Sequence, residues 1–162
     1  MAEEPEPGEH PRRRETPDER ADRNWLELLQ ELRVLQTGTQ ILTGFLLALA
    51  FQPAFADLEP GQKAVYLALI GLSGLSAVIA LAPVAAHRML FRLGEKAAIV
   101  TAGHVCLIVA LAIVSLLLAG VVGFVFDVVV GEPAGWIAGG TLAAAAVLGW
   151  GITPVAIRAR RE

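Results

Sequence analysis

The sequence predicts an all-α integral membrane protein: a four-transmembrane-helix bundle with a long amphipathic cytoplasmic extension of the first helix. Of its 162 residues, 55% are hydrophobic and only 18% are charged, which is too apolar for an ordinary soluble domain. Asp, Glu, Lys and Arg are also absent from four long stretches, 34–56, 64–86, 97–126 and 133–157. Each stretch exceeds the ~20 helical residues that cross a hydrocarbon core. Their continuous apolarity argues against the alternating pattern of a membrane barrel.

Three regions follow from this pattern. Residues 1–15 mix acids, prolines and an Arg triplet with almost nothing apolar, and we expect a disordered cytoplasmic tail there. Binding of Arg12–Arg14 to anionic lipid headgroups is the weaker alternative, because glutamates flank the triplet. Residues 16–157 form the transmembrane domain, and 158–162 form a basic cytoplasmic tail. The predicted spans are about 34–55, 64–86, 98–126 and 134–156.

The first helix has a clear predicted start. Thr16 can accept a hydrogen bond from the first backbone N–H groups, Pro17 suits the first helical position, and Glu19 can complete a capping box. If the helix continues to Phe51, it is ~35 residues and ~50 Å long. That length exceeds a bilayer, so its first half must stand in the cytosol or lie along the membrane surface.

One face of this helix is predicted to contact protein along its whole length. Alternating steps of four and three keep a helix position facing one partner, and here they select Trp25, Leu29, Leu32, Gln36, Thr39 and Thr43. Before Val34 the selected residues are apolar, whereas many of their neighbours are charged. After Val34 the selected residues are polar, whereas most of their neighbours are apolar. Such an inversion is expected where a protein-facing helix passes from water into hydrocarbon. The partner stays open: either the turn at 89–93 of the same chain or another molecule.

The other spans carry weaker signals. The Pro-Gly turn in 57–62 is short enough to force an antiparallel pair. The third apolar stretch is either one long helix, which we favour, or a span ending near Leu118 that is followed by a β-branched surface segment. Gly135 and Gly139 in the fourth span form a small-xxx-small pair that favours tight helix packing.

Charge asymmetry predicts the orientation. Twelve arginines and lysines lie before the first span, between the second and third, and after the fourth, whereas the other two loops hold only Lys63 against Asp57, Glu59 and Glu132. By the positive-inside rule, both termini and the middle loop are cytoplasmic. The acidic, Pro-rich start argues against a cleaved signal peptide.

Four intramembrane polar residues on the first span, Gln36, Thr39, Gln40 and Thr43, form the most informative cluster. Hydrogen bonding between helices, within the bundle or in an oligomer, is the favoured interpretation, because an amide in hydrocarbon needs a partner. A hydrophilic pathway opening to the cytoplasm is the alternative. We expect His104 to be a neutral packing residue rather than a proton relay. Asp127 is expected to be an interfacial anchor or cap rather than an ion ligand.

No catalytic constellation is recognisable. The sequence lacks paired carboxylates within a span and the common nucleophile, zinc and phosphate-binding motifs. The single cysteine, Cys106, cannot form a disulfide within the chain, and its spacing of two from His104 does not suit a metal pair. We therefore predict no enzyme activity and no cofactor, and the scattered basic residues do not suggest a nucleic-acid surface.

Three segments carry a family resemblance: LLQELRVLQTGTQILTGFLLALAF (28–51), APVAAHRMLFR (82–92) and FDVVVG (126–131). They resemble an uncharacterised family of small actinobacterial polytopic membrane proteins, catalogued as a domain of unknown function. The resemblance covers about 15–131 and is strongest in the first helix. It implies a multi-pass protein of the bacterial cytoplasmic (inner) membrane and supplies no activity or catalytic residues.

Two functional hypotheses follow. The first is a non-enzymatic membrane subunit or scaffold that sits in the lipid bilayer and associates through the first helix with a second copy or another membrane protein. The alternative is a small proton-coupled transporter or channel component that uses Gln36, Gln40, His104 and Asp127.

Overall fold

The computed structural model describes residues 15–90 and 96–159. All of the regular structure in these ranges is helical: α1 (Pro17–Leu49), α2 (Pro60–Leu90), α3 (Lys96–Val129) and α4 (Glu132–Ala159), with one 3-10 turn at Pro53–Phe55. All four α-helices are long and apolar enough to cross a membrane, which confirms the predicted all-α class and the four apolar helices. Outside the described residues lie most of the predicted N-terminal tail with Arg12–Arg14, most of the turn at 89–93, and residues 160–162 of the basic tail.

The start of α1 confirms the predicted capping box. The Glu19 backbone N–H donates to Thr16 Oγ1 at 3.2 Å, and the Thr16 N–H donates to Glu19 Oε2 at 2.9 Å. At its other end, α1 stops at Leu49, two residues before the expected Phe51. Beyond Leu49 the hydrogen-bond pattern changes from α-helical to 3-10. The N–H groups of residues 51 and 52 donate to the carbonyls three residues earlier, and the 3-10 turn then begins at Pro53.

The third helix is the centre of the bundle. It runs without a break from Lys96 to Val129, as the favoured interpretation of the third stretch requires, and it packs against α1, α2 and α4. The fourth helix packs chiefly on α3 and leaves most of its own surface exposed. We call the end of the bundle with the connections at 50–59 and 130–131 the short-loop end, and the opposite end the terminus end.

Two small apolar clusters form the core. The cluster nearer the short-loop end contains Leu46, Tyr66, Leu69, Leu117 and Phe124. The cluster nearer the terminus end contains Leu28, Leu32, Ala80 and Leu107, with Trp25 packed against it. Along α1 and α2, the buried hydroxyl residues Thr39, Ser73 and Ser76 lie between the two clusters.

Candidate functional site

The predicted protein-facing residues of α1 do face protein. Leu32 and Thr39 are buried, and the other four positions, Trp25, Leu29, Gln36 and Thr43, are partly buried. The neighbouring Leu28 and Leu32 pack with Ala80 of α2 and Leu107 of α3. This face, which we call the inward line, therefore contacts its own chain.

Most of the turn at 89–93, the partner expected within the chain, lies outside the described residues, and its contact with this face stays a prediction. The described contacts come from the helical bodies of α2 and α3. Both helices continue toward the terminus end, α2 as far as Leu90 and α3 back to Lys96. At Gly103 an added Cβ would lie only 3.0 Å from Leu28 Cδ1, so the leucine fills the space that this glycine leaves.

The threonines of the polar cluster are satisfied by their own helix. Thr39 Oγ1 donates to the Leu35 carbonyl at 2.9 Å, and Thr43 Oγ1 donates to the Thr39 carbonyl at 2.7 Å. Bonds of this kind, to the carbonyl one turn back, remove the need for a partner on another helix. These two hydroxyls therefore do not hold helices together.

The two glutamines differ from the threonines and from each other. Gln36 is partly buried and Gln40 is exposed, and neither amide is hydrogen-bonded within the part of the chain that the structure describes. The polar residues of α1 therefore do not share the single face that the sequence predicted. Successive helix residues are about 100° apart, so Thr39 faces the bundle whereas its neighbour Gln40 faces away from it. Bonding of the Gln40 amide to another helix of the described bundle, one of the outcomes expected from the sequence, does not occur.

A second line of residues runs along the outer face of α1. It consists of Arg33, Thr37, Gln40, Gly44 and Leu47, again at steps of four and three, and all five are exposed. We call it the outward line. A Cβ added at Gly44 would meet nothing within 4 Å, so packing within the chain does not require glycine there.

His104 and Asp127 are far apart. His104 is exposed near the terminus end of α3, and Asp127 lies near the short-loop end of the same helix. The 23 positions between them correspond to ~35 Å along the axis. Asp127 Oδ2 instead accepts a hydrogen bond from Gln62 Nε2 of α2 at 3.3 Å. Gln62 was not predicted as a partner from the sequence, although its place in the stretch 57–62 put it at the same end as Asp127.

The contact between α3 and α4 depends on glycine. A Cβ added at Gly135 would lie 2.8 Å from the Gly123 carbonyl oxygen, and one added at Gly139 would lie 3.1 Å from the Ala119 carbonyl oxygen. These distances confirm the tight packing predicted for the Gly135 and Gly139 pair, since only a residue without a side chain permits such an approach.

A groove of about 590 Å³ opens beside this contact. Its walls are the first two turns of α2 and the first half of α4, and its floor is α3 from Leu116 to Asp127. Polar residues line it at the short-loop end, namely Glu59, Gln62, Asp127 and Glu132, whereas small and apolar residues line the rest. A second groove of about 190 Å³ shares Leu116 and Ala143 with the first and continues toward Trp150.

The candidate pathway residues do not meet in these grooves. Of Gln36, Gln40, His104 and Asp127, only Asp127 lines either groove. Among the described residues, no group of three or more His, Cys, Asp or Glu side chains could hold a metal ion.

The fold and its apolar surface define a class, an all-helical chain compatible with a multi-pass membrane protein. Within that class, a family profile matches residues 14–154, so the chain belongs to DUF6328, a family of unknown function. This confirms the resemblance to an uncharacterised family seen in the sequence. Neither the curated proteins nor the solved structures contain a match to the chain.

Proposed function

We propose that the protein is a non-enzymatic, multi-pass subunit of the cytoplasmic membrane that associates with a second copy of itself through the outward line of α1. Its membrane placement is supported by the surface of the bundle, where large apolar side chains such as Phe45, Trp136 and Val147 are at least 70% exposed. Such a surface suits hydrocarbon and not water. The positive-inside rule then places both termini in the cytoplasm.

The observation that carries the proposal is the position of Gln40. Its amide is exposed on an apolar helix and has no hydrogen-bond partner among the described residues. It lies nine residues from Leu49, or ~13 Å along the axis, which places it well inside a hydrocarbon core ~30 Å thick. An amide at that depth gains free energy by bonding to another protein helix, because lipid tails offer no partner.

A second copy of α1 is the partner that this face fits. An amide carries both donors and an acceptor, so two Gln40 side chains related by a two-fold axis can bond to each other. Gly44, one turn further along, lets two backbones approach closely. The steps of four and three along the outward line keep it facing such a partner over several turns.

The transporter alternative has less support, because the residues it would use do not share a cavity. Gln40 faces outward on α1, and His104 and Asp127 lie at opposite ends of α3. Without a common pathway, these side chains cannot pass a proton or a solute from one to the next.

Disulfide crosslinking in liposomes tests the interface. In a Cys106→Ser background, we expect Gly44→Cys to give a covalent dimer under mild oxidation. Ile137→Cys is the matched control, since residue 137 is also exposed and both positions lie five residues from the short-loop end of their helices. Equal crosslinking at the two positions would show random collision and would refute the proposal.

A second measurement tests Gln40 itself. Energy transfer between labelled copies in liposomes reports the dimer fraction, and we expect Gln40→Leu to weaken association about fivefold, as the loss of one hydrogen bond between membrane helices would. Thr141→Leu is the control, because Thr141 is exposed at the same depth on α4 and its hydroxyl already donates to the Ile137 carbonyl at 2.7 Å. If Gln40→Leu associates as well as wild type, Gln40 does not form the interface.

A further inference from the structure

The larger groove has a polar head and an apolar body. At the short-loop end it is lined by the carboxylates of Glu59, Asp127 and Glu132, and none of its lining residues is Lys or Arg. Lys63, the nearest described cation in sequence, donates from Nζ to the Ala56 carbonyl at 3.0 Å and does not line the groove. The head of the groove therefore carries uncompensated negative charge.

Trp136 adds a second feature suited to a cation. Its indole lines the same head, is 76% exposed, and donates from Nε1 to Glu132 Oε1 at 3.4 Å. The face of a tryptophan attracts ammonium groups, and quaternary ammonium ions are commonly recognised by aromatic faces. Carboxylates and an indole face together favour a cationic head group over a neutral or anionic one.

The body of the groove matches a hydrocarbon chain. From Asp127 to Leu116 the floor spans eleven helical rises of α3, or ~17 Å, about half the thickness of a hydrocarbon core. Its volume of about 590 Å³ falls within the range of roughly 300–1,000 Å³ typical of small-molecule sites.

We infer that this groove is a binding site for a cationic amphiphile, a molecule with an ammonium head group and a hydrocarbon tail. The ammonium head group lies among Asp127, Glu132 and the Trp136 ring, and the hydrocarbon tail lies along the α3 floor beside the first half of α4. The inference rests on the membrane placement proposed above, but it does not depend on self-association through α1.

Fluorescence provides the test. The protein is placed in nanodiscs of zwitterionic lipid, with Trp25→Phe and Trp150→Phe leaving Trp136 as the single donor. The probe is diphenylhexatriene with a trimethylammonium head group, which is compared with neutral diphenylhexatriene and with its anionic propionate. We expect saturable energy transfer from Trp136 to the cationic probe, with at least about tenfold weaker binding of the other two.

Two variants test the polar end and the apolar part of the groove separately. Asp127→Asn combined with Glu132→Gln removes two charges and should weaken binding of the cationic probe about fivefold or more. Gly140→Leu fills the groove, because a Cβ at Gly140 meets nothing within 4 Å, and it should abolish saturable binding. The matched controls are Asp57→Asn and Gly151→Leu, which change an exposed carboxylate and an open glycine outside the groove and should leave binding unchanged.

Several results would overturn the inference. Equal binding of the neutral probe, an equal loss in Asp57→Asn, or unchanged binding in both groove variants would each show nonspecific partitioning. If Gly140→Leu instead abolished dimerisation and left probe binding intact, the groove would belong to a second copy. If Gln40→Leu no longer dimerises but still binds the probe, both proposals are supported. If Gln40→Leu dimerises normally and binds the probe, only the proposed self-association through α1 is refuted.

Discussion

The indole ring of Trp25 stacks on the imidazole ring of His87, with the ring centroids 4.7 Å apart and the ring planes 14° from parallel. This contact joins the first half of α1 to the last turn of α2. Since Leu28 of the same half also packs against Gly103 of α3, the first half of α1 is held by its own chain. From Trp25 onward, the amphipathic beginning of α1 is therefore part of the bundle.

Replacing Trp25 should weaken this attachment. We expect Trp25→Ala to lower the free energy of unfolding by about 2 kcal/mol, because it removes a partly buried aromatic side chain and its stacking. Leu26→Ala is the control, since Leu26 is 66% exposed and should change stability by less than about 0.5 kcal/mol. Reversible unfolding in mixed detergent micelles measures both variants. Equal effects of the two substitutions would contradict a specific role for Trp25.

The sequence predicted best those features that are set by a single helix. The cap at Thr16 and Glu19 depends on residues three apart in the chain, and the inward line from Trp25 to Thr43 depends on helical spacing. The Gly135 and Gly139 pair is likewise local. None of these predictions needed the identity of the neighbouring helix.

Features that depend on how helices are placed were harder to predict. Adjacent residues Thr39 and Gln40 lie on different sides of α1, and only the rotation of that helix against its neighbours decides which is exposed. The bond between Gln62 and Asp127 joins residues 65 apart in sequence. The groove arises because α4 packs chiefly on α3 and leaves a gap beside α2, and a helix pattern does not encode such a gap.

Substitution of the interface glycines should displace α4. In Gly135→Ala the new methyl group would lie 2.7 Å from Asp127 Cβ and 2.8 Å from the Gly123 carbonyl oxygen, and the latter cannot move without shifting α3. We expect a loss of about 2 kcal/mol in the free energy of unfolding and faster hydrogen exchange in α4. Gly140→Ala, with open space around the new Cβ, should be neutral or stabilise the helix by up to about 1 kcal/mol. Similar behaviour of the two variants would argue against close packing at Gly135.

The hydroxyl of Tyr66 secures the end of α1. It donates to the Leu46 carbonyl at 2.8 Å, and Leu46 is among the last four residues of α1, whose carbonyls have few partners within the helix. Tyr66→Phe should therefore cost about 1 kcal/mol, the contribution of one buried hydrogen bond. Hydrogen exchange of residues 46–52 should rise in parallel.

A second substitution separates this bond from the packing of the ring. The Tyr66 ring lies against Phe55 and Phe124, with centroids 4.8 and 6.2 Å away. Tyr66→Leu should therefore lose more stability than Tyr66→Phe, because it removes these contacts as well. A Tyr66→Phe variant as stable as wild type would show that the hydroxyl contributes nothing.

Alanine substitutions at the two buried serines of α2 should differ in their effect on stability. Ser76 is 0% exposed and its hydroxyl has no hydrogen-bond partner among the described residues, whereas Ser73 Oγ donates to the Ile70 carbonyl at 2.9 Å. Both substitutions to alanine give the same gain in helix propensity, so their difference isolates the hydroxyl. We expect Ser76→Ala to raise the free energy of unfolding above that of wild type. Ser73→Ala should be less stable than Ser76→Ala by about 1 kcal/mol, because it loses a hydrogen bond. Unfolding of the two single variants in the same micelles measures the difference, and a Ser76→Ala variant less stable than Ser73→Ala would mean that the Ser76 hydroxyl has a stabilising partner in the bundle.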